Sequence, residues 1–120
     1  MSDHFIMNSC LFCRIIKKEI PSRIIYEDAH IVAFEDVHPQ APVHILVVPR
    51  KHIGSLSEVK AEDTGLMDEL FTVARQMAKD RQIASRGYRT VINCGREGGQ
   101  TVYHLHLHLL GGRQMTWPPG

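Results

Sequence analysis

The chain has no excess of either charge, no long apolar run and few cysteines, and each shortage removes a class of function. Acidic and basic residues are interspersed and the formal charge is +1. No electrostatic footprint for nucleic acid exists. Small anionic ligands stay open, because they need local donors rather than global charge. No stretch of 18 apolar residues occurs, which excludes an apolar helix long enough to span a bilayer. Met1, Ser2, Asp3 and His4 do not form a basic region followed by an apolar one, and a cytoplasmic protein is expected. The three cysteines are an odd count and fit a reducing compartment better than a disulfide scaffold. Nothing marks an interdomain linker. At 120 residues and 43% apolar content the chain suits one compact domain, with residues 1–9 as a loose tail and residues 10–120 as the domain.

What the chain does have is histidine in a pattern. His104, Leu105, His106, Leu107, His108, Leu109 alternates without a break, and period two is a strand signal. The leucines then face a core, and the three imidazoles share the other face about 6.6 to 7 Å apart. A strand that only packs has little use for such a row. Three close imidazolium ions repel, so the row favours neutral rings near pH 7. A neutral imidazole is a nucleophile and also a metal ligand. Anion-handling catalysis, metal binding and a merely histidine-rich strand are therefore the three readings, in that order.

Taken as a whole, His104 to Leu110 resembles the His-φ-His-φ-His-φ-φ motif of the histidine triad superfamily, where φ is apolar. The flanks Gly98, Gly99, Gln100, Thr101, Val102, Tyr103 and Gly111, Gly112, Arg113, Gln114, Met115, with Trp117, Pro118, Pro119, Gly120, are similar to its Hint branch. The resemblance reaches back to about Cys10. It implies a hydrolase of adenosine 5′-phosphoramidates acting through a nucleotidyl-histidine. Dinucleoside polyphosphate hydrolysis is the enzymatic alternative, and a zinc-stabilised, non-catalytic interaction module is the alternative of another class.

The remaining sequence predicts an α+β domain. Cys10 to Ile20 has helical spacing and Pro21 closes it. Residues 23–26 and 30–34 form a hairpin, and Glu35 to Pro42 is a loop stiffened by two prolines. Val43 to Val48 reads as a central strand containing a conspicuous His44. Ala61 to Ser85 is a long helix with the stripe Leu66, Leu70, Val73, Met77, widened by Met67, Phe71, Ala74 and Ala78, and Gly87 ends it. Tyr88 to Cys94 is the fourth strand and the histidine row the fifth. One short and one long helix then pack on a mainly antiparallel five-strand sheet. The resemblance agrees with this fold and adds a homodimer with the sheet continued across its interface.

The resemblance makes His106 the nucleophile, His108 a phosphate contact and His44 a further member of the site. If His106 attacks through Nε2, its Nδ1–H needs a fixed acceptor. Thr101 and the backbone N–H groups of Gly99, Gln100 and Thr101 are candidate phosphate donors, the turn being able to form an anion nest. Thr101 stands where many Hint relatives carry serine. Asn93 resembles a phosphate or leaving-group contact, or is a strand-end hydrogen-bonder. Asp36 resembles the carboxylate that accepts both ribose hydroxyls, or is a turn former. Ile15, Phe34 and Val37 can wall an adenine slot, and Trp117 covers the leaving-group side from the partner subunit by resemblance. Cys10 and Cys13 form a Cys-x-x-Cys, a redox pair, a zinc half-site or two packed thiols. Matching to zinc-carrying bacterial relatives adds His52 and His104, which makes His104 a structural ligand. Cys94 reads as a buried strand thiol, and His4, His30 and His38 as surface or turn residues.

Overall fold

A computed structural model describes residues 10–120; the expected tail, residues 1–9, lies outside the described residues. A short helix α1 (Leu11–Ile16) is followed by strands β1 (Ile24–Glu27), β2 (Ile31–Glu35) and β3 (Val43–Pro49). Two 3₁₀ turns at Leu56–Glu58 and Ala61–Asp63 lead into helix α2 (Thr64–Asp80), then β4 (Tyr88–Val91) and β5 (Leu107–Gly111). The five strands form one sheet in the order β1-β2-β3-β5-β4. Every neighbouring pair is antiparallel. Among the described residues no helix is long and apolar enough to cross a membrane.

Both faces of the sheet are covered, which explains why β2 (apart from Glu35) and β3 (apart from His44) are near-continuous apolar runs rather than alternating. On one face Ile31, Ala33, Ile45, Val47, Leu107 and Leu109 pack with Leu70, Val73, Ala74, Met77 and Ala78 of α2. On the other, Val32, Phe34, Leu46 and Val48 pack with Phe12 and Ile15 of α1. Leu107 is fully buried in the larger cluster. Its replacement by alanine is expected to cost about 2–5 kcal/mol, measured as a lower urea midpoint with an unchanged slope.

Several boundaries differ from the sequence expectation. Helix α1 stops at Ile16 rather than Ile20 because Lys18 takes a left-handed conformation (φ 63°). Glu19 N–H then donates to Arg14 O and Lys18 N–H to Ile15 O, which is a Schellman ending. Helix α2 ends in the same way at Gln82 (φ 61°), with Ile83 N–H on Ala78 O and Gln82 N–H on Lys79 O. The expected stop at Gly87 is therefore five residues late, and residues 61–63 are 3₁₀ rather than α. Phe71, expected in the apolar stripe, is exposed.

The histidine row also differs. Ladder pairing begins only at Leu107, because the preceding residues bond elsewhere. Leu105 N–H donates to Ile53 O at 2.7 Å, and His104 Nε2 lies 2.8 Å from Pro49 O. Alternation survives without the ladder: Leu105, Leu107 and Leu109 are all buried toward α2, and the imidazoles lie on the α1 side. β4 ends at Val91, so Asn93 and Cys94 sit in the turn beyond it. Cys94 is only half-buried, its Sγ 3.2 Å from Ser57 Oγ, which corrects its reading as a buried strand thiol.

Candidate active site and adjoining metal-ligand cluster

His44 and His108 are brought together by register. β3 pairs His44 with Leu110 and Leu46 with His108, which makes the two histidines diagonal neighbours on one face. Their rings meet with His44 Nε2 2.9 Å from His108 Nδ1. The rings of His106 and His108 lie 4.9 Å apart, centre to centre.

Backbone groups fix the tautomers of His44 and His106, and His44 in turn fixes that of His108. The Gln40 N–H donates to His44 Nδ1 at 3.0 Å, so neutral His44 carries its proton on Nε2 and donates it to His108 Nδ1. His108 must then carry its own proton on Nε2. For His106, Nδ1 lies 2.7 Å from His104 O. A carbonyl only accepts, so the proton sits on Nδ1 and Nε2 is a bare lone pair. The site thus pairs a base nitrogen on His106 with a donor nitrogen on His108. Burial holds His44 and His106 below the usual histidine range, against the opposing pull of Asp36 on His44 and of the His104 carbonyl and then Asp36 on His106. His108 is pushed down to about 4 by burial, then by the neighbouring His106 and His44. All three are neutral at pH 7.

This pair opens onto a cavity of about 420 Å³. Nine of the residues singled out in the sequence line it: Ile15, Phe34, Asp36, Val37, Asn93, Gly99, Thr101, His106 and His108. His44 stands behind His108 rather than in the wall. Asp36 is held in a turn by the His38 N–H on its Oδ1 at 2.8 Å, with Oδ2 3.4 Å from His44 Nε2. Trp117 is 81% exposed and does not line the cavity of its own chain.

Gln100, expected to offer its backbone N–H to a phosphate, is placed otherwise, because that N–H is taken by Gly95 O. Its side chain is buried and turned inward, with Nε2 donating to Gly54 O at 2.8 Å and to Val102 O at 3.0 Å, and Oε1 accepting the Gly95 N–H. It braces the loop and does not face the cavity. The backbone nest is smaller than expected as well. Gly99 N–H is taken by Arg96 O and Gln100 N–H by Gly95 O, which leaves Thr101 to offer the cavity a hydroxyl and a backbone N–H. The loop can fold this tightly because Gly98 has no Cβ, which would run into Cys94 O.

Sequence reasoning missed Phe12. It is buried in the cavity wall and meets Phe34, His106 and His104 edge-on at 5.4, 5.0 and 6.0 Å. The available signal was its position inside Cys10-x-x-Cys13, since whatever holds those two thiols places Phe12 too. His38 and Leu46 also line the cavity.

Cys10, Cys13, His52 and His104 form a second cluster, their ligand atoms all within 4.8 Å of one another. The sulfur to Nδ1 distances are 3.4 Å for Cys10 to His104, 3.3 Å for Cys13 to His52 and 3.6 Å for Cys13 to His104. The two Nδ1 atoms are 3.2 Å apart. A tetrahedral zinc, with bonds of about 2.3 Å to sulfur and about 2.0 Å to nitrogen, requires roughly 3.5 Å for S···N and roughly 3.3 Å for N···N. Donor type and spacing both fit. His104 Nε2 carries its proton to Pro49 O at 2.8 Å, the outer hydrogen bond that leaves Nδ1 bare for a metal. Burial and the adjoining Cys10 push the Cys13 thiol up to about 12, so two thiolates here need a cation. A third group, Asp36, His44 and His108, is equally close. Its internal nitrogens are committed to the Gln40–His44–His108 chain of hydrogen bonds, which orients His108 and leaves the group a poor ligand set.

A five-strand antiparallel sheet with His106 and His108 facing a cavity at the start of β5, and His44 of β3 behind His108, is the arrangement of a histidine triad protein. Residues 9–117 match the family model described as scavenger mRNA decapping enzyme C-term binding. The chain is 54% identical to an uncharacterized HIT-like protein of Synechococcus elongatus over 110 residues, 92% of this chain and 96% of that one. The crystal structure of a HIT family hydrolase from Legionella pneumophila superposes with a TM-score of 0.92 at 49% identity, covering 93% of this chain and all of that one. A histidine triad nucleotide-binding protein from Candida albicans gives 0.79 at 31% identity, covering 92% and 83%. The chain belongs to the histidine triad (HIT) family.

Proposed function

We propose that this protein hydrolyses nucleoside 5′-phosphoramidates of the purine, AMP type through a covalent nucleotidyl adduct on His106. The observation that carries the reading is the opposed pair of tautomers: a bare His106 Nε2 beside a protonated His108 Nε2, both at one cavity wall. His106 Nε2 attacks the α-phosphorus and the bond from phosphorus to the leaving amine breaks. His108 Nε2–H and Thr101 donate to the phosphoryl oxygens as charge develops on them, with Thr101 and Asn93 toward the leaving group, which takes a proton from solvent water and departs as the free amine. Water then adds to phosphorus, the P–Nε2 bond breaks, the water's proton leaves to solvent, and the monophosphate is released. Asp36 accepts from the ribose hydroxyls, and Ile15, Phe34, Val37 and Phe12 enclose the base.

Cys10, Cys13, His52 and His104 hold a structural zinc in this reading. A closed four-ligand site has no position for substrate, so the metal supplies rigidity and no chemistry at phosphorus. The protein is a homodimer whose sheets continue through β4, an edge strand whose Tyr88 is exposed, as is Trp117. Equilibrium sedimentation giving a mass of twice 13.6 kDa is the expected result.

The test compares kcat/KM on an adenosine phosphoramidate with that on a diadenosine polyphosphate, and looks by mass spectrometry of rapidly quenched samples for a nucleotide mass on the His106 peptide. The phosphoramidate is expected to be preferred and the adduct found. Preference for the polyphosphate would move the assignment to dinucleoside polyphosphate hydrolysis. No turnover of either, with zinc bound, would move it to an interaction module.

The pH dependence has a definite sign. Attack needs neutral His106, whose burial holds it below 6.5, so kcat/KM is expected to be flat from pH 8 to about 6.5 and to fall below that. Stability follows the same direction. His44, His106 and His108 resist protonation when folded but titrate near 6.5 when unfolded. Between about pH 6.5 and 4 the unfolded chain binds more protons, and stability drops as the pH is lowered. Urea midpoints at pH 7.5 and 5 check this.

A further inference from the structure

The metal-ligand cluster and the cavity share two pieces of chain. Helix α1 is only six residues long, too short to hold its shape or place by itself. Its cap is Cys10, whose sulfur accepts the Cys13 N–H at 3.4 Å, and both thiols belong to the cluster. The same helix contributes Leu11, Phe12 and Ile15 to the cavity wall. The ion pairs near it, Arg14 with Glu19 and Lys18 with Glu27, are exposed and anchor little. The second shared piece is His104. Its Nδ1 faces Cys10, Cys13 and His52, and its carbonyl accepts the Nδ1–H of His106. Between the two runs Phe12, set edge-on against both His104 and His106.

We infer that a divalent metal on Cys10, Cys13, His52 and His104 raises the affinity of the cavity for a nucleoside monophosphate, with α1 and His104 as the mechanical link, so that metal occupancy regulates the nucleotide site. This rests on the nucleotide reading of the cavity. A bound metal fixes the two thiols against the two imidazoles, and thereby the wall formed by Leu11, Phe12 and Ile15. Without it α1 is held mainly by the apolar contacts of Phe12, Ile15 and Ile16, and the nucleotide must order the wall as it binds. The ordering cost appears as weaker affinity. Reciprocity follows, because a coupling free energy acts equally on both ligands. Nucleotide binding tightens the metal by the same factor. The cluster thus does more than stabilise the fold.

The experiment titrates AMP into the full-length zinc-loaded protein and into protein stripped by a chelator, with far-UV circular dichroism on both. Stripped protein that keeps its fold is expected to bind AMP about tenfold more weakly. Zinc affinity, measured by competition with a chromogenic chelator, is expected to rise by the same factor at saturating AMP. The protein is also loaded with cobalt(II), whose thiolate charge-transfer and ligand-field bands report the geometry at Cys10 and Cys13. These bands are expected to shift on AMP addition. Equal AMP affinity with and without metal would overturn the coupling while leaving the nucleotide site intact. If stripping unfolds the chain, the cobalt spectrum decides: a shift supports the link, and an unchanged spectrum at saturating AMP overturns it. Failure of AMP to bind the zinc-loaded protein would instead remove the nucleotide reading, and the coupling with it.

Discussion

Replacing His106 by alanine is expected to lower kcat on an adenosine phosphoramidate by on the order of 10⁴-fold or more, with the dissociation constant for AMP changed by less than about tenfold. The size of the effect comes from the lack of a substitute. His108 stands next to His106, yet its Nδ1 is occupied by His44 and its Nε2 bears a proton, so it offers the phosphorus no lone pair. His44 lies behind His108 and out of the wall. Binding survives because Asp36, Thr101 and the apolar wall are untouched. Steady-state kinetics and calorimetric AMP titration read the two quantities separately. Turnover that persists while AMP binding collapses would make His106 a binding residue and end the nucleophile assignment. The same logic distinguishes His44→Ala, which removes the proton that fixes His108 and is expected to act on kcat rather than on AMP affinity.

The identities of these residues were legible because a chemical pattern persists where secondary structure does not. Alternation from His104 to Leu109 reads as strand, and half of it is not paired in the sheet. Side-chain direction nevertheless follows the extended backbone, so the imidazoles and leucines still part to opposite faces. Helix ends were less legible. Schellman endings need a left-handed residue, and the search for one favours glycine or a following proline. Here Lys18 and Gln82 take that conformation, which no propensity announces, because apolar contacts after the turn hold it. Ile83, for example, is buried in the α2 cluster together with Ala78. Gln100 and Phe12 show the limits at the site itself. A glycine-rich turn looks like a nest of free backbone N–H groups, and nothing in the sequence shows that Gly95 O and Arg96 O take the Gln100 and Gly99 N–H groups while the Gln100 side chain turns to Gly54 O and Val102 O. Phe12 looks like core because it is core. Its edge against His106 depends on where the two thiols are tied.

Those thiols carry the second large effect. Cys13→Ser is expected to reduce bound zinc well below one per chain and to lower Tm by about 15 °C relative to the zinc-loaded protein. The estimate takes a metal present at about a thousand times its dissociation constant, which stabilises the folded state by about 4 kcal/mol. For a domain of this size each kcal/mol moves Tm by about 4 °C. Serine keeps the shape of the side chain but not a thiolate, and the three remaining ligands no longer close the tetrahedron. The variant is expected to stay folded, because the α2-side core packs without any of the four ligands, so the effect is read as a lower Tm. Differential scanning calorimetry with metal analysis on the wild-type protein, the variant and chelated wild type checks it. The variant and the chelated protein should melt together, since each lacks the metal. If chelation leaves Tm unchanged and the purified protein holds no zinc, Cys10 and Cys13 are packed thiols, and the near-tetrahedral spacing of the four side chains is a consequence of packing alone.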